Sequence, residues 1–207
     1  MGLFMGRGTI YPFVEKNLFE YISKGMTVIE TGCGAAKYRG LLENIGVKYF
    51  GTDVPNDYYQ DSGDVDIFCS SDCLPFKDNS ADIVFNQGSI DYMPSISKTL
   101  DEAYRVLKPE GKLLIYTYRY DILLMIHENC RKTKREWELN HHVFTSSQML
   151  KYLRRASFQA SDITGNLDVW SPRKWKKTIF QITGLLKYFR KTHTTWRAFE
   201  AVKPTSV

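Results

Sequence analysis

Val28-Ile29-Glu30-Thr31-Gly32-Cys33-Gly34-Ala35-Ala36-Lys37-Tyr38, followed by Tyr49-Phe50-Gly51-Thr52-Asp53, decides the fold of this chain. An apolar run ends in an acid and a Gly-x-Gly turn, a helical stretch follows, and a second apolar run delivers a carboxylate 19 residues after Gly34. That is the layout of a nucleoside-binding βαβ unit. The glycines let the backbone turn sharply and come close to a ligand, while an acid at the tip of the next strand can accept both hydroxyls of a ribose. Position 37 is Lys where Gly-x-Gly-x-x-Gly requires Gly, and Glu30 sets a carboxylate where a pyrophosphate would lie, so the pattern disfavours NAD. A ligand with a ribose, a positive centre and no phosphate fits better.

Outward from this unit the chain alternates helix and strand. Pro12 to Ser23 reads as a leading helix with Phe13, Val14, Leu18, Tyr21 and Ile22 on one face. Short apolar runs at Met26 to Glu30, Val47 to Thr52, Val65 to Phe68, Ala81 to Phe85 and Lys112 to Tyr118 have the character of strands covered by helices on both sides. Ile96, Leu100, Ala103 and Leu107 recur at helical spacing before a Lys108-Pro109-Glu110-Gly111 turn. Thr145-Ser146-Ser147-Gln148 is a capping-box pattern that opens a helix through Arg155. Phe158 to Thr164 and Trp196 to Val202 supply the sixth and seventh strands. The expected architecture is α/β: a Rossmann-like, seven-stranded, mostly parallel sheet with helices on both faces. It forms a single domain over residues 1–207.

At 207 residues and 43% hydrophobic content the chain can bury a full core without staples. Cys33, Cys69, Cys73 and Cys130 contain no Cys-x-x-Cys pair, and with His141-His142 they match no common zinc spacing, so no metal is expected. Reduced cysteines, an N-terminus unlike a signal peptide and the lack of any run near ~20 apolar residues predict a soluble, cytoplasmic protein. The net charge of +5 conceals an asymmetry: residues 166–207 hold nine Lys or Arg against two acids, while the rest holds 19 basic and 21 acidic side chains. Within that basic fifth, Trp175, Ile179, Ile182, Leu186 and Phe189 form one helical stripe, predicting a basic helical insertion at about 172–191 between the last two strands. Such a helix either covers the core or contacts an anionic surface, a membrane or a lipid-linked substrate.

Two further segments carry a resemblance: Leu74-Pro75-Phe76-Lys77-Asp78-Asn79-Ser80-Ala81-Asp82-Ile83-Val84 and Glu102-Ala103-Tyr104-Arg105-Val106-Leu107-Lys108-Pro109-Glu110-Gly111-Lys112-Leu113-Leu114. Together with the Glu-Thr-Gly-Cys-Gly turn and Asp53, over roughly residues 10 to 165 and the last strand, the chain resembles the class I S-adenosylmethionine-dependent methyltransferases, of the type 11-like small-molecule kind. The resemblance implies S-adenosylmethionine as cofactor and a sheet that ends in an antiparallel pair. It implies that Gly32, Cys33 and Gly34 pass under the methionine part, that Glu30 acts near the amino end and that Asp53 holds the ribose. Ser70, Ser71 and Asp72 stand where relatives recognise adenine, and Asn86 is included for its position after the fourth strand rather than for its side chain.

Methyl transfer from a sulfonium requires mainly that donor and nucleophile be held in line, and a general base only if the acceptor must shed a proton. The candidates are Tyr92, as a positioning group, and His127, as a base; Asp91, Arg119, Tyr120 and Glu128 fall nearby in sequence. His141 and His142 are assigned to the approach to the next helix, with Phe144 stapling it to the core. The expected acceptor is a small molecule or a glycan-type compound, methylated on an O or N atom with O slightly favoured. No Asn-Pro-Pro-Tyr or Asp-Pro-Pro-Tyr tetrad follows the fourth strand, which argues against a nucleic acid. The alternatives are a non-catalytic cofactor-binding subunit, a nucleic-acid methyltransferase, and transfer of another part of the cofactor.

Overall fold

The computed structural model describes residues 12–55, 64–118, 142, 144–167 and 196–205. In chain order these form α1 (Pro12–Phe19), β1 (Thr27–Thr31), α2 (Arg39–Asn44), β2 (Lys48–Asp53), β3 (Ile67–Phe68), β4 (Ala81–Gln87), α3 (Ile96–Val106), β5 (Leu107–Tyr118), α4 (Ser146–Arg155), β6 (Gln159–Asp162) and β7 (Trp196–Val202). The sheet order is β3-β2-β1-β4-β5-β7-β6, with β7 antiparallel to both of its neighbours. The expected doubly covered, mostly parallel sheet is therefore the observed one, and the final two strands form its edge. The basic insertion at 172–191 lies outside the described residues.

Strand alternation makes the two layers. Val28, Ile83, Phe85, Leu114 and Tyr116 face α1 and α2 through Val14, Leu18 and Leu42. Their neighbours Ile29, Val84, Leu113 and Ile115 face α3 and α4 through Ile96, Leu100, Ala103, Met149 and Leu153. Successive side chains on a strand point to opposite faces, so a run that is apolar throughout must be covered twice. The capping box at α4 forms as its sequence predicts: Gln148 N donates to Thr145 Oγ1 and Thr145 N to Gln148 Oε1 at 2.8 Å.

Of the boundaries that differ from the sequence reading, three have a clear physical reason. α1 ends at Phe19, and Ile22 still packs in the core from the turn that follows. The Lys108-Pro109-Glu110-Gly111 segment is a bulge within β5: Leu107 pairs with Ala81 and Lys112 with Ile83, and Glu110 sits at φ +64°. The chain thereby passes from α3 straight into β5. β6 is only Gln159–Asp162, because Ile163 to Leu167 turn away through a 3-10 helix at Thr164–Asn166.

Candidate active site

The carboxyl ends of β1, β2 and β4 lie side by side in parallel register, with Glu30 opposite Gly51 and Phe85, and Thr31 opposite Thr52 and Asn86. Gly32 (φ +66°) and Gly34 (φ +53°) turn the chain out of β1 in the left-handed region, which favours glycine. A Cβ on Gly32 would come 2.2 Å from Ser89 Oγ and 3.3 Å from Met93 Cε, so the turn is pressed against the connection after β4. That connection is tied down in return. Asn86 Nδ2 donates to Thr31 O at 2.9 Å and contacts Ser89 Oγ at 2.7 Å, and Ser89 Oγ donates to Thr31 O at 3.1 Å. Asn86, chosen from sequence for its position, thus acts through its buried side chain.

Glu30 is 2% exposed and accepts a 2.5 Å hydrogen bond from Tyr49 Oη on β2. Burial pushes its carboxyl up to about 8, with the Tyr49 hydrogen bond and the nearby Lys37 charge opposing. Glu30 therefore does not present a simple fixed negative charge at neutral pH, and the sequence argument that it repels pyrophosphate by charge loses its force. Lys37, which replaces a fingerprint glycine, is half-buried; burial lowers its ammonium pKa and Glu30 pulls the other way. Asp53 at the tip of β2 is fixed by two backbone donors, Gly34 N to Oδ2 at 2.8 Å and Val54 N to Oδ1 at 2.7 Å. Burial raises its carboxyl pKa against those two hydrogen bonds. The bond from Gly34 joins the glycine turn to the candidate ribose ligand directly.

Ser70, Ser71 and Asp72 form a turn closed by Cys73 N donating to Ser70 O at 3.0 Å. It hangs on β2 through Cys69 N to Asp53 O at 2.9 Å, next to the candidate ribose end, and Ser71 is the buried member. Cys33 turns its side chain into the core. Its thiol packs in the apolar cluster with Val28 and Tyr49, against the space that a Cβ on Gly51 would fill, and burial raises its pKa. Only its backbone borders the turn, where Cys33 N donates to Thr52 O at 3.0 Å.

On the side of β4 and β5, Tyr92 lies on a 3-10 turn (Ile90–Tyr92) and is 43% exposed. Its neighbour Asp91 is the buried group: it is 0% exposed, and Thr117 Oγ1 at the end of β5 donates to its Oδ2 at 2.7 Å. His142 N donates to Asp91 O at 3.1 Å, and the His142 ring Nε2 lies 2.9 Å from Met93 O. His142 thus pins the connection after β4 as well as leading into α4, a contact that the sequence reading did not anticipate. His127, with Arg119, Tyr120, Glu128 and His141, lies outside the described residues. Thr117, Tyr49, Ser89 and His142 carried no local signal, since each acquires its partner from a distant segment. Among the described residues no group of three or more His, Cys, Asp or Glu could hold a metal ion.

The described groups fit a ligand made of donors and positive charge. Asn86 Oδ1 and Gln87 Oε1, both buried, have no hydrogen-bond partner. With Glu30 and Asp53 they are oxygen acceptors carried at the carboxyl ends of β1, β2 and β4. An ammonium, a sulfonium and two vicinal hydroxyls are the complement of such a set.

Comparison with known proteins agrees with this chemistry. A family model described as a methyltransferase domain matches residues 29–115. A sterol 4-C-methyltransferase of Caenorhabditis elegans is 25% identical over 133 residues, 59% of this chain and 38% of that protein. The mitochondrial arginine-hydroxylase NDUFAF5 of Mus musculus is 26% identical over 181 residues, 81% of this chain and 51% of that protein. The chain therefore spans about half or less of the length of these curated relatives. Among solved structures, a chain of the complex between the Haloferax volcanii Trm112 methyltransferase activator and a methyltransferase superposes with a TM-score of 0.68 at 21% identity, covering 93% of this chain and 89% of that one. A glycine turn, a fixed Asp53 and a 3-2-1-4-5-7-6 sheet, matched by a methyltransferase model from β1 into β5, are what this chain shares with the class I S-adenosylmethionine-dependent methyltransferases.

Proposed function

We propose that the protein transfers the methyl group of S-adenosylmethionine to an O or N atom of a small-molecule or glycan-type acceptor, with oxygen favoured. The observation that carries the cofactor half of this reading is Asp53 at the tip of β2, fixed by Gly34 N of the glycine turn that leaves β1. When bound, the cofactor supplies a methyl group on a sulfonium, which is already a good leaving group. The protein's task is then to hold: Asp53 the ribose hydroxyls, Glu30 and the Asn86 and Gln87 carboxamides the charged amino-acid end, and the Ser70–Asp72 turn the base. Tyr92, exposed on the turn after β4, is suited to positioning an acceptor.

Calorimetry of the whole chain should find one site for S-adenosylmethionine and for S-adenosylhomocysteine, with no competition from NAD at similar concentration. Methyl-labelled cofactor offered with a range of acceptors would identify the product. No binding by the wild type, or NAD competing equally, would overturn the reading. The sterol relative is named for methylation at carbon, so a carbon-methylated product would correct the choice of acceptor atom.

A second reading rests on the mouse relative, which is named for arginine hydroxylation and aligns over most of this chain. Mass spectrometry separates the two, since one adds a methyl group and the other an oxygen atom. The basic segment 172–191 supports contact with a lipid-linked or phosphorylated acceptor. Flotation with anionic vesicles at low salt, lost on changing Lys176, Lys177 and Lys187 to Glu, is the expected result. Among the described residues no helix is long and apolar enough to cross a membrane.

A further inference from the structure

We infer that Tyr49 is a positioning residue for the amino-acid end of the cofactor: its hydroxyl holds the Glu30 carboxylate by one oxygen and leaves the other for the ligand's ammonium. The inference rests on the methyl-transfer reading and adds a residue of β2 that no spacing in the sequence marks. Tyr49 Oη donates to Glu30 Oε2 at 2.5 Å, the one hydrogen bond that the described residues give this carboxylate. The pair sits at the glycine turn. A Cβ on Gly51 would stand 3.0 Å from Tyr49 Oη and 3.0 Å from Cys33 Sγ, so the hydroxyl lies beside the residue between the two turn glycines. The charges of Lys37, on the same turn, and of Asp53, the candidate ribose ligand, both act on the Glu30 carboxyl. The carboxylate therefore stands between the turn and the ribose end, where the proposed function puts the amino-acid end of the cofactor.

Tyr49 is buried and is itself held from behind. Its ring lies under the Arg39 guanidinium, with Cζ 4.9 Å from the ring centroid. Arg39 Nη2 donates to Asp66 Oδ2 and to Asp64 O, each at 2.8 Å, and Gly51 N donates to the same Asp66 oxygen at 2.7 Å. The stack thus ties the ring to β2 and to the segment that leads into β3. A ring fixed in this way delivers its hydroxyl to a set place.

A carboxylate ion holds an ammonium better than the neutral acid does, and burial works against the ion. Burial pushes Glu30 up to about 8, and the hydrogen bond from Tyr49 is the largest opposing influence. The other ionisable groups that face Glu30 are Cys33 and Lys37 on the turn, Arg39 on α2 and Asp53 on β2. Tyr49 therefore fixes where the carboxylate stands and also lowers the cost of its charge. When the ligand's ammonium arrives, the proton on Glu30 passes to solvent and the carboxylate gains a cation in its place. Binding by the wild type should accordingly tighten as pH rises towards 8.

Phe is the discriminating replacement, because it keeps the ring under Arg39 and removes only the hydroxyl. Calorimetry of the full chain with two ligands decides. One is S-adenosylhomocysteine, which carries the amino-acid end; the other is 5′-methylthioadenosine, which keeps the ribose and the base and lacks that end. At neutral pH Y49F should weaken S-adenosylhomocysteine by about tenfold or more, the worth of a hydrogen bond to an ionised group, and should move the rise of its affinity to higher pH. Affinity for 5′-methylthioadenosine should stay as in the wild type. Equal loss of both ligands, which a merely structural role predicts, or an unchanged affinity and pH profile for S-adenosylhomocysteine, would overturn the inference. If the wild type binds neither ligand, the methyl-transfer reading falls and the role of Tyr49 falls with it.

Discussion

The two ends of the site are built in different ways. The cofactor side, at β1, β2 and β4, is made of backbone turns and strand tips: Gly32 and Gly34 in left-handed conformations, and Asp53 accepting from Gly34 N. The proposed acceptor side, at β4 and β5, is made of side chains drawn from far apart in sequence: Asp91, Thr117 and His142. Substitutions on the first side should act on cofactor affinity through conformation. Those on the second should act on acceptor chemistry or stability and leave cofactor binding intact. The difference is one of origin: a tight turn is a local demand on φ and on the absence of Cβ, whereas a buried carboxylate with a hydroxyl partner exists only after folding.

The strongest break in that contrast comes from Gly32→Ala. A non-glycine residue at φ +66° costs roughly 1–2 kcal/mol, and relieving a Cβ set 2.2 Å from Ser89 Oγ costs about 2 more. Calorimetry should lose S-adenosylhomocysteine binding altogether, while far-UV dichroism keeps the α/β signature. Full binding in this variant would show that the turn is not part of the cofactor site.

Next in size is the pH dependence set by Glu30. Its folded pKa of about 8 lies above the ordinary value of 4.5, so the folded state holds the proton more tightly than the unfolded chain does. The stabilisation is complete below about 4.5 and is lost as pH rises through 8. Glu30→Gln should therefore raise the thermal midpoint relative to wild type at pH 8.5 and change it little at pH 4. Equal shifts at both would show that burial does not hold the proton on Glu30.

Asp53→Ala should weaken S-adenosylmethionine and S-adenosylhomocysteine alike by about 2 kcal/mol, the worth of a charge-assisted hydrogen bond to a ribose hydroxyl. Unchanged affinity would detach Asp53 from the ribose. The smallest effect belongs to the opposite side. Thr117→Val removes the hydroxyl that donates to the fully buried Asp91 carboxylate, and should cost about 1–2 kcal/mol in denaturant unfolding without altering cofactor affinity. A parallel loss of cofactor binding would show that the two ends are coupled through Asn86 and Ser89, and the contrast between them would then fail.

Much of the fold could be read before any coordinates. The two face-specific clusters follow from uninterrupted apolar strands, α4 opens at the capping box that its sequence announces, and β7 spans the residues expected of it. The misses were local competitions won by tertiary pairing. Lys108 to Gly111 look like a free turn, yet the pairings of Leu107 with Ala81 and of Lys112 with Ile83 draw them into a bulged strand. In the site, Asp53 and the glycines were legible because their spacing is itself the signal. The place of Cys33 in the motif does not reveal that its thiol fills the gap left by Gly51.

The sequence by itself determined where the chain must turn, which strands must be covered on both faces, and which turn, acid and spacing define the cofactor end. Those are demands of backbone sterics and of periodicity, both written in near neighbours. Only the tertiary structure decided the chemical state of the groups. Glu30 holds its proton because the surrounding core excludes water from it, against the opposing hydrogen bond from Tyr49; Asn86 acts through its side chain because Thr31 and Ser89 surround it, and His142 turns Nε2 to Met93 O. Protonation and tautomer depend on burial and on partners brought from elsewhere in the chain, and no spacing in the sequence encodes them.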